Sequence, residues 1–138
     1  MRILLIDDDK DDQALFCEAI EMIAPQIDCE VADNGAEGIR RLTSTSELPI
    51  LVFLDINMPV MNGWETLTAI RNNPVLKKTK VVMYTTSSQS SDKLQAESFG
   101  ATFVSKSSSF ETMIVSLSKV IRQESAEFEK VIVNRELK

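Results

Sequence analysis

The sequence predicts an α/β fold: a three-layer, doubly wound (βα)5 sandwich on a parallel five-stranded sheet, with an extended C-terminal helix. Three observations lead there. Short apolar runs alternate with stretches of helical periodicity along almost the whole chain. Each run ends abruptly in polar or charged residues, as buried parallel strands do. No repeat or Gly/Ser linker divides the 138 residues, a length that suits one domain of the usual ~100–200. Parallel neighbours need crossover helices, and right-handed crossovers put helices on both faces.

Taken in order, Ile3-Leu4-Leu5-Ile6 is the first strand, closed by Asp7. Phe16, Ala19, Ile20 and Ile23 then fall on one helical face that stops before Pro25. Ile27 to Ala32 is a second strand, Asp33-Asn34-Gly35 a turn, and Ala36, Ile39 and Leu42 a weaker second helix. Ile50 to Leu54 is the most apolar strand and ends at Asp55. A loop with Pro59 and Gly63 leads to a helix carrying Trp64, Leu67 and Ile70, broken before Pro74. Val81 to Tyr84 is the fourth strand, and a short helix around Leu94 to Phe99 ends at Gly100. Thr102 to Ser105 is the fifth strand, and the Ser107-Ser108-Ser109 run caps the last helix. Its stripe of Met113, Ile114, Leu117, Val120 and Ile121 continues through Phe128, Val131 and Ile132, so the helix is expected to reach about Asn134. Two accounts of that overhang stay open: a folded-back end, or a surface for a second subunit.

Composition excludes several functions. Fifteen basic against 21 acidic residues give a net charge of −6. Nucleic acid and anionic membranes are thereby disfavoured, since both need a basic face to displace counterions. No apolar run approaches ~18 residues, and the N-terminal run is too short for a signal peptide, so a cytoplasmic protein is expected. The chain has no histidine, which removes His-based triads and His-ligated zinc. Cys17 and Cys29 sit inside apolar patterns and are expected as small buried hydrophobes rather than a disulfide framework.

Sites in open parallel sheets form at the carboxyl ends of the strands. Asp7 and Asp8 follow the first strand, Asp55 and Asn57 the third, Thr85 the fourth and Lys106 the fifth. Asp9, Asp11 and Asp12 are expected as helix-capping residues, and Trp64 and Tyr84 as packing. Two carboxylates ~4 Å apart repel by roughly 4 kcal/mol at an effective dielectric near 20. A hard divalent cation relieves that strain, and Mg²⁺ suits a few carboxylates with positions left for water or phosphate. A metal and a lysine beside an aspartate are what phosphoryl transfer needs. Three alternatives stand beside that reading. A flavodoxin-like cofactor binder with the same layers would want small residues where Asp7-Asp8-Asp9 stand. A Mg²⁺-dependent phosphatase would want an acid at Asn57. The third is a degenerate domain that is never phosphorylated and acts only as a protein-interaction module.

The segment Leu51 to Gly63, with Asp7-Asp8, Asp33-Asn34-Gly35, Val82-Met83-Tyr84-Thr85 and Gly100-Ala101 in order around it, resembles the receiver domain of two-component response regulators. The resemblance covers about residues 1–124, leaving 125–138 as a C-terminal helical extension or tail. It implies the flavodoxin-like form of the fold. It further implies that Asp55 accepts a phosphoryl group from a sensor histidine kinase or a histidine phosphotransfer protein. Asp8 would ligate Mg²⁺ directly, Asp7 through water and Asn57 through its carbonyl. Thr85 would be the switch hydroxyl, Lys106 the phosphoryl's ammonium partner and Phe103 the aromatic switch. Ser107 stands where the family usually has proline and Thr86 where it has alanine, while Ser87 and Asn57 hold positions that tune dephosphorylation. With no room beyond residue 124 for an output domain, a stand-alone receiver is expected. It would turn over no external substrate, catalyse only its own phosphorylation and dephosphorylation, and signal by protein contacts at its fourth helix, fifth strand and last helix. The tail suggests a homodimer.

Overall fold

The computed structural model describes residues 1–86 and 90–125. Among the described residues five strands and five helices alternate: β1 (Arg2–Ile6), α1 (Lys10–Ile23), β2 (Asp28–Ala32), α2 (Gly35–Thr43), β3 (Leu51–Leu54), α3 (Gly63–Asn72), β4 (Val81–Thr85), α4 (Ser90–Ser98), β5 (Thr102–Ser105) and α5 (Phe110–Glu124). The sheet is parallel throughout, in the order β2-β1-β3-β4-β5. The chain therefore reverses direction of winding beside β1, and the crevice between the ends of β1 and β3 is its topological switch point.

Alternate side chains of the central strands feed two separate cores. Ile3, Leu5, Leu51, Phe53, Val82 and Tyr84 meet Phe16 and Ile20 of α1 and Leu117 and Ile121 of α5. Leu4, Ile6, Val52, Leu54, Val81 and Met83 meet Leu42, Leu67, Ile70 and Ala96 from α2, α3 and α4. Both faces of β1, β3 and β4 are thus dry, which is why their sequences read as continuous apolar runs. Phe16, Phe53 and Tyr84 form an aromatic group with centroids 4.9 to 6.0 Å apart, Phe53 meeting each of the other two edge-to-face.

Helix ends follow local chemistry. Asp9 caps α1 by accepting from the Asp12 N–H at 3.0 Å, so one member of the expected trio does cap. Asn34 caps α2, Asn62 and Glu65 form a reciprocal capping box on α3, and Ser109 caps α5. After α4, the Gly100 N–H reaches Glu97 O and the Ala101 N–H reaches Ala96 O. That closing turn needs a left-handed residue, and Gly100 takes it at φ 67°. At the end of α3, the Arg71 guanidinium donates to the carbonyls of Phe99, Thr79, Lys77 and Gly100 at 2.6 to 3.3 Å, tying two loops together.

Two expectations need correction. Cys17 and Cys29 are joined as a disulfide, with Cα atoms 5.6 Å apart. The helix α1 packs over β2, which brings Cys17, on the flank of the apolar stripe, against the second residue of that strand; both cysteines are only partly buried. And α5 does not run on past Glu124: Ser125 takes extended backbone (φ −138°, ψ 111°) and its N–H closes on Ile121 O. The continuation through Phe128, Val131 and Ile132, with the dimer contact it suggested, lies outside the described residues. No helix among the described residues is long and apolar enough to cross a membrane.

Candidate functional site

Strand ladders deliver the acidic residues to one crevice. The Asp7 N–H donates to Ala32 O at 3.1 Å and the Asp55 N–H to Ile6 O at 3.0 Å, so each sits one step beyond its strand but inside the sheet's hydrogen-bond pattern. Lys106 is fixed in the same way by its N–H on Thr85 O at 2.7 Å. Its peptide to Ser107 is trans, like every other among the described residues. Behind Asp55 the backbone of Gly63 comes so close that a Cβ there would lie 2.7 Å from Ile56 Cα and closer still to Asp55 O. The Gly63 N–H bonds Ile56 O at 2.8 Å, which anchors the start of α3 against the end of β3.

Asp7 is wholly buried and Asp55 nearly so, whereas Asp8 is exposed. Carboxylate oxygens of all three lie within 4.8 Å of one another. One Asp7 oxygen accepts from the Asp9 N–H at 2.9 Å; the other takes the Lys106 ammonium at 2.7 Å. The Gln13 amide, also buried, donates to the Asp7 carbonyl at 2.6 Å and to Asp33 at 2.8 Å. Asp55 receives the buried Thr85 hydroxyl and the Asn57 N–H. Lys106 stands 3.7 Å from Asp55, an ion pair longer than a hydrogen bond.

Electrostatics follow from burial. Desolvation pushes the Asp7 carboxyl above its ordinary value against the pull of Lys106 and the Asp9 N–H. Desolvation raises Asp55 as well; Lys106 opposes that rise, Asp7 adds to it, and the Asn57 and Thr85 bonds oppose it. For Lys106, burial disfavours the ammonium, but the hydrogen bonds it donates to Asp12 and Asp7 and the charges of Asp7 and Asp55 outweigh it, so the group is held protonated. Three carboxylates, Asp7, Asp12 and Asp55, thus surround one ammonium, and Asp8 brings a fourth to the same crevice. That deficit, with hard oxygen donors and an open cleft, fits a divalent cation of the Mg²⁺ type.

The structure brings Asp7, Asp8, Asp55, Thr85 and Lys106 together, with Asn57 at the cleft edge. Phe103 is elsewhere. It pairs with Met83 on β5, half-buried, and lines a separate cleft with Lys93, Glu97 and Lys119 between α4 and α5. Ser87 lies outside the described residues. Two participants escaped the sequence reading: Gln13, which braces Asp7, and Asp12, whose carboxylate takes Lys106 at 2.8 Å. A glutamine directly after an acidic run, on the buried face of the first helical turn, was the signal available for Gln13.

Fold and site together define an α/β domain built around one acidic, lysine-closed crevice at its switch point. Comparison with known proteins gives that class a family. Residues 3–118 match the response regulator receiver domain, and the chain belongs to that family, the receivers of two-component systems. PilG of Pseudomonas aeruginosa is 27% identical over 103 residues, covering 73% of this chain and 72% of PilG. The response regulator Rcp1 of Synechocystis is 33% identical over 95 residues, 65% of each chain, so the match spans slightly less than two thirds of that relative. The solved Mn²⁺-bound form of Rcp1 superposes with a TM-score of 0.76 at 26% identity, covering 87% of this chain and 91% of that one.

Proposed function

We propose that Asp55 is the phosphoacceptor of this receiver and takes its phosphoryl group from the phosphohistidine of a sensor kinase or phosphotransfer protein in a Mg²⁺-dependent step. In that step the P–N bond breaks as a P–O bond forms to an Asp55 oxygen; the bonding pair leaves with the imidazole nitrogen, which is then protonated by solvent. One observation carries the reading: a nearly buried carboxylate at the switch point, bonded to a hydroxyl and set within reach of two further carboxylates and an ammonium.

The parts divide as follows. Asp7, Asp8, Asp55 and the Asn57 carbonyl would hold the metal, which supplies positive charge to the phosphoryl oxygens when bound. Lys106 pairs with one phosphoryl oxygen and the Thr85 hydroxyl turns from the carboxylate to another. The incoming group adds about −2 charge to the crevice, enough to bias a two-state element. Thr85 ends β4 beside β5, so its movement is felt at Phe103 and the α4–β5–α5 face, where a partner protein reads the state. Residues 1–124 are the receiver unit and 125–138 its extension.

Incubation with Mg²⁺ and acetyl phosphate, followed by intact mass, tests the reading. The wild type should gain one phosphoryl adduct, acid-stable and alkali-labile; Asp55→Asn should gain none, and a chelator should abolish the adduct. An adduct on Asp55→Asn, or none on the wild type, would reject it; the second result would leave an interaction module.

A further inference from the structure

Among the described residues Lys106 has two close carboxylate partners, and Asp55 is not one of them. Its ammonium lies 2.7 Å from Asp7 Oδ2 and 2.8 Å from Asp12 Oδ2, but 3.7 Å from Asp55 Oδ2. We propose that Asp12 is a positioning residue, a competing counter-ion that holds Lys106 off Asp55 and so sets how tightly the phosphoryl group is retained. The proposal rests on the reading of Asp55 as phosphoacceptor and concerns the regulation of that same site.

The two carboxylates that hold the lysine are not equivalent. Asp7 is wholly buried, so losing its cation would leave an uncompensated charge in the protein interior. The Asp12 side chain is 37% exposed, and water can take the place of the ammonium there. Its position is nonetheless fixed, because its own N–H is tied to the Asp9 cap in the first turn of α1. When Asp55 carries a phosphoryl dianion, Lys106 needs a donor direction for it, and the contact it can give up at low cost is Asp12. Asp12 thus competes with the phosphoryl group for one ammonium. A carboxylate at this point makes the phosphorylated state weaker than the remaining residues alone would allow. Lys10 does not substitute as a partner for Asp12, because it is engaged at 2.6 Å with Asp33.

Beryllofluoride, a phosphoryl mimic, tests this by calorimetric titration at saturating Mg²⁺, which removes any difference in metal affinity. Four proteins are compared: wild type, Asp12→Asn, Asp12→Glu and Asp11→Asn. Asp11→Asn deletes the same charge one residue away, at an exposed position with no contact to the lysine. Asp12→Asn should bind roughly three- to tenfold more tightly than wild type, the scale of a part-exposed ion pair. Asp11→Asn should change affinity less than about twofold, and Asp12→Glu, which keeps the counter-ion, should stay near wild type. Equal affinities for Asp12→Asn and Asp11→Asn, or weaker binding by Asp12→Asn, would overturn the competition while leaving the phosphoacceptor reading intact. A wild type that binds no beryllofluoride with Mg²⁺ present would overturn both.

Discussion

Replacing Asp55 by asparagine should stabilise the metal-free protein, and the size of the effect can be worked from the crevice. Asp7 presents an oxygen within 4.8 Å of Asp55, a repulsion of about 3.5 kcal/mol at an effective dielectric near 20. Lys106 at 3.7 Å returns about 4.5 kcal/mol of attraction on the same scale. These two nearly cancel; Asp8, exposed to solvent, adds a further repulsion that water screens, and the main cost that remains is desolvation of a side chain that is only 10% exposed. An isosteric amide avoids it, and a gain of about 1–3 kcal/mol is expected. The pH dependence has a definite sign. Burial lifts the folded-state pKa of Asp55 above 3.8, so between that value and the raised one the folded protein holds more protons than the unfolded chain. Stability therefore falls as pH rises through this window, and the amide variant, with no proton to lose there, escapes the loss. In urea, where m is typically about 1–3 kcal/mol/M, the midpoint at pH 7.5 should rise by roughly 1 M, and the difference should shrink as pH is lowered toward 4. Saturating Mg²⁺, at 100 times its dissociation constant, adds about 2.7 kcal/mol to the wild type and less to a variant short of one ligand, so the gap closes. An unchanged or lower midpoint for Asp55→Asn at pH 7.5, or a difference that ignores pH, would refute the reasoning.

Three further substitutions probe how the crevice is held. Gly63→Ala forces a Cβ to 2.7 Å from Ile56 Cα; the urea midpoint should show a loss of about 1–3 kcal/mol, with slower phosphoryl uptake from acetyl phosphate because Asp55 is pushed out of place. Val60 is a β-branched residue at φ 68° with its side chain fully in solvent; Val60→Gly should raise stability by about 0.5–1 kcal/mol by thermal or urea unfolding, the left-handed strain outweighing the lost chain stiffness. Arg71→Ala frees four carbonyls that now share one guanidinium; a loss of about 2 kcal/mol is expected, with faster amide exchange in the loops at Lys77–Thr79 and Phe99–Gly100.

The fold was legible because burial on both faces leaves a mark that needs no tertiary knowledge. Leu51 to Leu54 lies between β1 and β4 with helices above and below, so no position along it tolerates a polar side chain and the strand announces itself. The helix of Phe16, Ala19, Ile20 and Ile23 is legible for the converse reason: one stripe is buried and the rest is wet. Weaker elements were blurred in proportion. In α4 Ala96 is buried while Leu94 is 65% exposed, so the apolar residue that suggested the helix is not the one that seats it. The cysteine pair was missed because a disulfide depends on how α1 lies over β2, a distance between elements that no periodicity records. At the end of α5 the apolar spacing runs on unbroken, yet Ser125 leaves the helical region; spacing reports which residues would share a face, not whether the backbone continues.

The site divides along the same line. Asp7, Asp8, Asp55, Thr85 and Lys106 were legible because each sits at the carboxyl end of a strand, and strand order alone converges those ends on one crevice. Asp12 belongs to a helix, and its partner choice depends on the rotation of α1 about its own axis. That rotation is set by Asp9 at the cap and by Phe16 and Ile20 in the core, which turn the side of the first turn bearing Asp12 toward β5. Composition counts five aspartates after β1 as interchangeable negative charge. The fold makes them five different groups: one buried under the lysine, one facing the cleft, one capping the helix, one in solvent and one holding the ammonium. The distinct responses expected of them on single substitution, with Asp11 near neutral and Asp12 strengthening phosphoryl-mimic binding when neutralised, follow from that geometry and from nothing in their number.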